Sequence, residues 1–275
     1  MAGLIAAPGG TIYGTTQLGG ASGLGTVFPL KPPVASGPWT QRVLYSFVGG
    51  LDGEQPVAGL LASHNGTLYG TTKLGGASSS GTVFALTPPT SPGGAWTESV
   101  LYSFTGGSDG GTPVAGLIFG PSGGTLYGTT EYGGKIYSAN CRFTGCGTAF
   151  KLTPPATVGG AWAEHVLYEF QGTGVGSNDG SNPLGGLVAD ATGALYGTTQ
   201  GGGFAQVGTV FKLTPPATSG SRWTEGILHF FVTSSGDGIS PFAGLVFSNH
   251  ELYGTTQIGG SVGEHFGGTV FEVTP

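Results

Sequence analysis

Apolar and polar residues alternate along this chain in short runs rich in Val, Leu, Tyr, Phe and Thr, and each run stops at Gly, Pro, Asn or Asp. No stretch keeps apolar residues at i, i+3, i+4 and i+7 without a Gly or Pro interrupting. The pattern therefore predicts short strands and tight turns, and no helices. The runs also repeat. The Tyr of "YGTT" falls at Tyr13, Tyr69, Tyr127, Tyr196 and Tyr253, at spacings of 56, 58, 69 and 57 residues. Each unit reads in one order: "AGL" or "GGL", a turn, "LYGTT", a "GG" loop of variable length, "GTVF-x-LTP", then "WTE-x-VLYSF" and a linker of the type "GGSDGGTPV". "HNGT" (His64 to Thr67) predicts a type I′ hairpin turn, because Asn-Gly tolerates the positive φ that turn requires. It also matches the glycosylation sequon at Asn65.

Four strands in a repeat of this length are the unit of a β-propeller blade. A β-helix needs shorter repeats, and a sandwich does not repeat its sequence. The expected fold is all-β: a five-bladed β-propeller of four-stranded blades, one domain over residues 1–275, with blades near 2–57, 58–114, 115–184, 185–242 and 243–275. The first strand of each blade should line the axis, where the small residues of "AGL" fit. The fourth should lie outermost, with Trp39, Trp96, Trp162 and Trp223 covering the interfaces between blades. The fourth phrase occurs four times against five for the others. The last blade should therefore lack its outer strand and leave Gly268 to Pro275 as an open edge, able to pair with a strand of a second molecule.

These phrases resemble the GloVer repeat (Gloeobacter–Verrucomicrobia type) of bacterial propellers, through "LYGTT-x-x-GG", "GTVF-x-LTP", "WTE-x-VLYSF" and "DG-x-x-P-x-AGL" over nearly the whole chain. The blade order is more distantly similar to kelch. The resemblance implies a secreted or surface-displayed bacterial protein and implies no particular activity.

Composition narrows the function classes. Gly supplies 58 of 275 residues, which alone would point to disorder, but 38% hydrophobic, 11% aromatic and only 8% charged residues leave a core to bury. A net charge of −6 with eight scattered Lys and Arg argues against a nucleic-acid partner. No apolar run reaches the ~18 residues of a membrane helix, so no membrane insertion is expected. The first ten residues read as the interior of a repeat, without the basic and apolar regions of a signal peptide. Cys141 and Cys146, in "CRFTGC", are expected to close a disulfide across a loop with little core of its own, which fits an oxidising compartment; the alternative is two free thiols. A metal site would need more ligands than these two.

Variation concentrates in the loops after "TT", where function on a rigid scaffold usually sits. The position after each "TT" is Gln17, Lys73, Glu131, Gln200 or Gln257, and these should form a polar ring on one face. With Tyr132, Tyr137 and Phe143, and further along Phe204 and Phe266, as stacking surfaces, they are candidate contacts for a glycan or other cell-surface polymer. The alternative is that strand ends at a wet rim are polar by default. The linker aspartates Asp52, Asp109, Asp179 and Asp237 all precede Gly, and turn capping explains them better than calcium.

Glycosidase chemistry needs two carboxylates flanking the scissile bond. The inner strands "PVAGLLA", "PVAGLIF", "PLGGLVA" and "PFAGLVF" carry none, Glu131 and Glu264 are the only acids in the variable loops, and Asp190 ends its strand at the far end. No Ser-His-Asp grouping, P-loop or dinucleotide motif is readable. No catalytic residue, metal or cofactor is therefore expected. The sequence points to an extracellular binding or scaffold module with a glycan as the first candidate ligand. Its rivals are a self-assembling surface repeat that uses the open edge, and a polysaccharide-active enzyme.

Overall fold

In every repeat the residues of "LYGTT" and "GTVF-x-LT" pair as antiparallel strands in the computed structural model, which describes residues 3–275 apart from 8–9, 34–35, 92, 122, 135–140, 142–143, 158, 175–176, 219, 234–235 and 261–266. The first blade holds β1 (Ile5–Ala6), β2 (Ile12–Thr16), β3 (Thr26–Lys31) and an outer strand in two pieces, β4 (Thr40–Gln41) and β5 (Tyr45–Ser46), both paired to β3. The second is β6 (Leu61–Ala62), β7 (Leu68–Thr72), β8 (Thr82–Thr87) and β9 (Thr97–Ser103). The third is β10 (Ile118–Phe119), β11 (Leu126–Thr130), β12 (Thr148–Thr153) and β13 (Ala163–Glu169). The following linker forms a small hairpin, β14 (Thr173–Gly174) with β15 (Ser177–Asn178), and then β16 (Gly180–Ser181). The fourth blade is β17 (Val188–Ala189), β18 (Leu195–Thr199), β20 (Thr209–Thr214) and β21 (Thr224–Phe230); β19 (Gly201–Gly202) leaves it to pair with β16. The last holds β22 (Gly238–Pro241), β23 (Val246–Ser248), β24 (Glu251–Gly259) and β25 (Val270–Val273), with no outer strand after β25. The fold is thus a five-bladed β-propeller. Its contacts divide into two compact units, Met1–Thr105 with Thr112–Leu117, and Gly106–Gly111 with Ile118–Pro275.

Local packing explains the repeated letters. In β7, Leu68, Gly70 and Thr72 point to one side and are buried. A Cβ on Gly70 would sit 2.6 Å from the Phe84 ring and 3.0 Å from Leu60, and Gly197 meets Phe211 in the same way. The Phe of "GTVF" lies flat over the Gly of "YGTT", so any larger residue there displaces a core ring. The second Thr of "TT" hydrogen-bonds the Thr that opens the next strand: Thr72 to Thr82 and Thr199 to Thr209 at 2.8 Å, Thr130 to Thr148 at 2.9 Å. The first Thr reaches the carbonyl that opens the following repeat, Thr71 to Ala115 at 3.1 Å and Thr198 to Ala243 at 3.2 Å. These are buried hydroxyls, and the bonds satisfy groups that burial would otherwise penalise. The pairing of outer strands slips by one residue at the same place in three blades, between Val83 and Phe84, Ala149 and Phe150, and Val210 and Phe211. That bulge bends the outer strand.

Two of the outer Trp residues cover interfaces as the repeat order predicts, whereas Trp39 is half exposed. Trp96 packs edge-on to Tyr13 of the preceding blade with centroids 6.2 Å apart, and Trp223 to Tyr127 likewise. One local expectation is corrected. The "HNGT" turn is tight, but only Gly66 has positive φ (84°) while Asn65 does not, so it is not type I′. The Gly66 N–H donates to the Ser63 carbonyl at 3.0 Å, and the Asn65 side chain accepts from the Thr67 N–H. The turn therefore begins one residue earlier, with Gly66 as the left-handed residue that closes it.

Candidate functional site

The polar positions after "TT" are held by a partner that lies in the linkers. Each linker has a residue just before its Pro, namely Gln55, Thr112, Asn182 or Ser240, with φ of 55–58°. Left-handed backbone is uncommon for residues other than Gly, and here it recurs at one position in four repeats. The N–H of each such residue donates to the loop before the third strand: Gln55 to Leu24, Thr112 to Ser80, Asn182 to Cys146 and Ser240 to Val207, at 2.7–2.8 Å. The Pro that follows packs on the Gly of "GTVF". A Cβ on Gly25, Gly81, Gly147 or Gly208 would lie 2.4–2.6 Å from Pro56, Pro113, Pro183 or Pro241. The linker also pairs across to the loop of the next blade, through Glu54 with Leu74, Gly111 with Tyr132, β16 with β19 and β22 with β24.

This lacing joins the candidate residues in groups. Gln55 accepts a side-chain bond from Gln17 at 3.2 Å, and its carbonyl accepts from the Lys73 N–H at 3.0 Å. Asn182 likewise links two blades: its Nδ2 donates to the Glu131 carbonyl at 3.2 Å, and its own carbonyl accepts from the Gln200 N–H at 3.0 Å. Gln257 lines a cavity of about 230 Å³ with Phe242, Ala243, Thr255 and Thr256. Lys73, Glu131 and Gln200 are fixed through their main chains, and among the described residues their side chains take no hydrogen-bond partner. Tyr132 is exposed beside Glu131 and pairs through its backbone with Gly111. Phe204 is exposed in the loop after Gln200. Tyr137 and Phe143, with Phe266 and Glu264, lie outside the described residues. Cys141 and Cys146 are joined in a disulfide with Cα atoms 5.1 Å apart, and both are buried.

The linker aspartates are taken up by donors. Asp52 accepts from Tyr45 Oη and from the Val48 N–H, both at 2.7 Å. Asp179 accepts from Tyr168 Oη at 2.9 Å and from the N–H groups of Gln171 and Gly180. In the next repeat His229 stands where Tyr would, and its Nε2 lies 2.9 Å from Asp237. The Tyr of "LYSF" is thus the hydrogen-bond partner of the Asp in the linker that follows it. Asp190 caps its hairpin turn, and burial pushes its carboxyl up. Bonds from Thr192, Tyr196 and the Ala194 N–H outweigh that and hold it below the usual range. No group of three or more His, Cys, Asp or Glu among the described residues is arranged to hold a metal.

A second arrangement was not readable from sequence. The Glu two residues after the Trp feels the charge of the linker Asp of the preceding blade: Glu98 that of Asp52, Glu164 that of Asp109, Glu225 that of Asp179. One carboxyl oxygen of each Glu is buried with no hydrogen-bond partner. Burial first, and the neighbouring Asp second, push Glu98 and Glu164 up to about 7 and Glu225 up to about 8. Burial also raises Asp179. The Glu98 pair lines an open groove of about 530 Å³ with Tyr45, Val48, Leu51 and Val100. The signal in the sequence is the recurrence of Glu two residues after Trp and of Asp before Gly; only the packing of one blade on the next brings the two into range of each other. These acids sit on outer strands and linkers, away from the inner strands where a propeller glycosidase would need them.

Residues 1–143 and 136–275 each match the family model described as the Gloeobacter/Verrucomicrobia repeat, which together span the chain. No curated protein matches it. Among solved structures it is similar to a candidate 6-phosphogluconolactonase from Bacteroides uniformis, at 12% identity over 92% of this chain and 77% of that one, with a TM-score of 0.44. It is similar also to a protein of unknown function from Dyadobacter fermentans, at 12% identity over 98% of this chain and 74% of that one, with a TM-score of 0.49.

Proposed function

The chain belongs to the Gloeobacter/Verrucomicrobia repeat family, and from that premise we propose that it is a secreted or surface-displayed binding module that takes a glycan at its "TT-x-x-GG" strand ends. One observation carries this reading. The repeat uses its Thr hydroxyls and the linker Asp52, Asp179 and Asp237 internally, whereas Lys73, Glu131 and Gln200 are held through their main chains and, among the described residues, leave the ammonium, carboxylate and amide of their side chains without a hydrogen-bond partner. Such groups, with exposed Tyr132 and Phe204 nearby in sequence and Phe242 lining the same cavity as Gln257, suit the planar hydrogen bonding and stacking that a sugar asks for. The sites differ from blade to blade and are shallow, so binding would gain from several of them meeting one polymer. The disulfide is consistent with an oxidising compartment.

A glycan-array screen of the purified chain tests the proposal. Binding to one sugar class, reduced at least tenfold in the Gln17→Ala, Gln200→Ala, Gln257→Ala triple variant, would support it. Reproducible absence of binding, or binding untouched by the triple change, would set it aside.

A further inference from the structure

The hairpins of the first two blades enclose a space that another pair of blades fills with a ring of its own. Opposite the residue before the Tyr of "YGTT", the inner strand places Ala6, Ala62, Phe119, Ala189 or Phe247, in the same register each time. Between the fourth blade and the last, the Phe247 ring stacks on Tyr196 with centroids 5.9 Å apart and planes 17° apart. Of the successive pairs along the chain, only the first two blades carry Ala at both positions. Ala62 stands there where Phe247 stands in the last blade. A cavity of about 500 Å³ opens between the two hairpins, lined by Tyr13, Ala6, Ala62, Leu68, His64 and Asn65. That volume lies within the range of small-molecule sites, roughly 300–1,000 Å³.

The cavity has an apolar half and a polar half. Tyr13, Ala6, Ala62 and Leu68 form the first, and Trp96 braces the Tyr13 ring edge-on from the outer strand. The turn at His64 and Asn65 forms the second. Asn65 Oδ1 accepts from the Thr67 N–H at 3.1 Å and from the Ser63 hydroxyl, which fixes the amide and leaves Nδ2 to donate elsewhere. Tyr196 and Tyr253 donate their hydroxyls to Asp190 and Glu272, whereas Tyr13 Oη, like Asn65 Nδ2 and the His64 ring, takes no hydrogen-bond partner among the described residues.

We propose that this cavity is a second binding site, and that it takes a phenol, a single aromatic ring carrying a hydroxyl, stacked on Tyr13 as Phe247 stacks on Tyr196. The ring fills the apolar half, and its hydroxyl accepts from Asn65 Nδ2. A pyranose fits less well. Its hydroxyls surround the ring, and those turned to Ala6, Ala62 and Leu68 would lose water without gaining a partner. An aromatic acid fits less well too, because no Lys or Arg is among the described lining residues. The site lies at the hairpin ends, opposite the "TT" strand ends, and does not rest on the glycan reading.

Ligand-observed NMR titration tests this with p-cresol as the probe and methyl glucoside as its competitor in kind. The proteins are the wild type, Ala62→Phe and Tyr13→Leu, with circular dichroism as the folding control. The wild type should bind p-cresol with a Kd of about 1 mM, as suits a ligand of that size, and methyl glucoside about tenfold more weakly or not at all. Ala62→Phe supplies the ring that the last blade carries. It should weaken p-cresol about tenfold or more and raise the melting temperature by about 2–4 °C. Tyr13→Leu keeps an apolar side chain and removes the ring face, and should weaken p-cresol about fivefold. The Gln17, Gln200 and Gln257 triple variant should bind p-cresol as the wild type does, which separates this site from the strand ends. No binding of p-cresol up to about 10 mM, binding unchanged in both folded variants, or methyl glucoside bound as tightly as p-cresol would each overturn the proposal. A lower melting temperature for Ala62→Phe would also overturn it, because the cavity would then not accept a ring.

Discussion

Replacing Glu225 by Gln should stabilise the protein in alkaline solution and leave it nearly unchanged in acid. The Glu225 carboxyl lies beside Asp179, one of its oxygens is buried without a partner, and burial first and Asp179 second raise it from 4.5 to about 8. The folded chain therefore holds this proton more tightly than the unfolded chain. The resulting stability is present in full below about pH 4.5 and is lost as pH rises through about 8. At about 1.4 kcal/mol per pH unit the interval sets an upper limit near 5 kcal/mol, and the part of the carboxyl that still meets water reduces this to about 1–2 kcal/mol. Gln matches the shape of the protonated acid and carries no charge to desolvate. Urea unfolding followed by Trp fluorescence at pH 5 and pH 9 reads the difference. The wild type should lose stability between the two, and Glu225→Gln should recover about 1–2 kcal/mol at pH 9. Glu98→Gln and Glu164→Gln should act in the same direction, with their loss centred near pH 7. An identical pH profile for variant and wild type, or a Gln variant less stable at pH 9 than the wild type, would refute the reasoning.

Three further outcomes follow from the packing. Gly81 has φ of 92°, and a Cβ there would lie 2.5 Å from both Pro113 Cδ and the Thr72 carbonyl, so Gly81→Ala should cost about 3 kcal/mol or more in urea unfolding. Asp179→Ala strips acceptors from Tyr168 and from two backbone N–H groups and should cost about 2–4 kcal/mol, while Tyr168→Phe, which removes only one of those bonds, should cost about 1 kcal/mol. Phe84→Ala should cost about 3–5 kcal/mol and Phe28→Ala less than half of that, because the same letter of the repeat is fully buried in one blade and half-buried in the other. Equal losses for the two would contradict that difference in burial.

Period-two alternation and internal repetition made the strands legible, since "LYGTT" and "GTVF-x-LT" carry the same apolar positions in every copy. The Trp–Tyr contacts were legible for the same reason. Other features depend on what one repeat does to the next. Gln55, Thr112, Asn182 and Ser240 take a backbone conformation that their own preferences oppose, so no local rule singles them out, and they are the residues that lace the candidate site together. Glu98 and Asp52 are far apart in sequence and meet only through the stacking of blades. His229 reads as an ordinary packing substitution for Tyr until its contact with Asp237 is seen.

The account rests on the strand ends after "TT" being where a ligand meets this repeat. Hydrogen–deuterium exchange by mass spectrometry, with and without the best binder from a glycan array, tests that most directly. The account predicts slowed exchange in peptides around Gln17, Gln55 and Lys73, around Glu131, Asn182 and Gln200, and around Gln257, with the groove at Glu98 unchanged. Protection confined to that groove, or to the hairpin turns at the opposite strand ends such as Ser63 to Thr67, would contradict it.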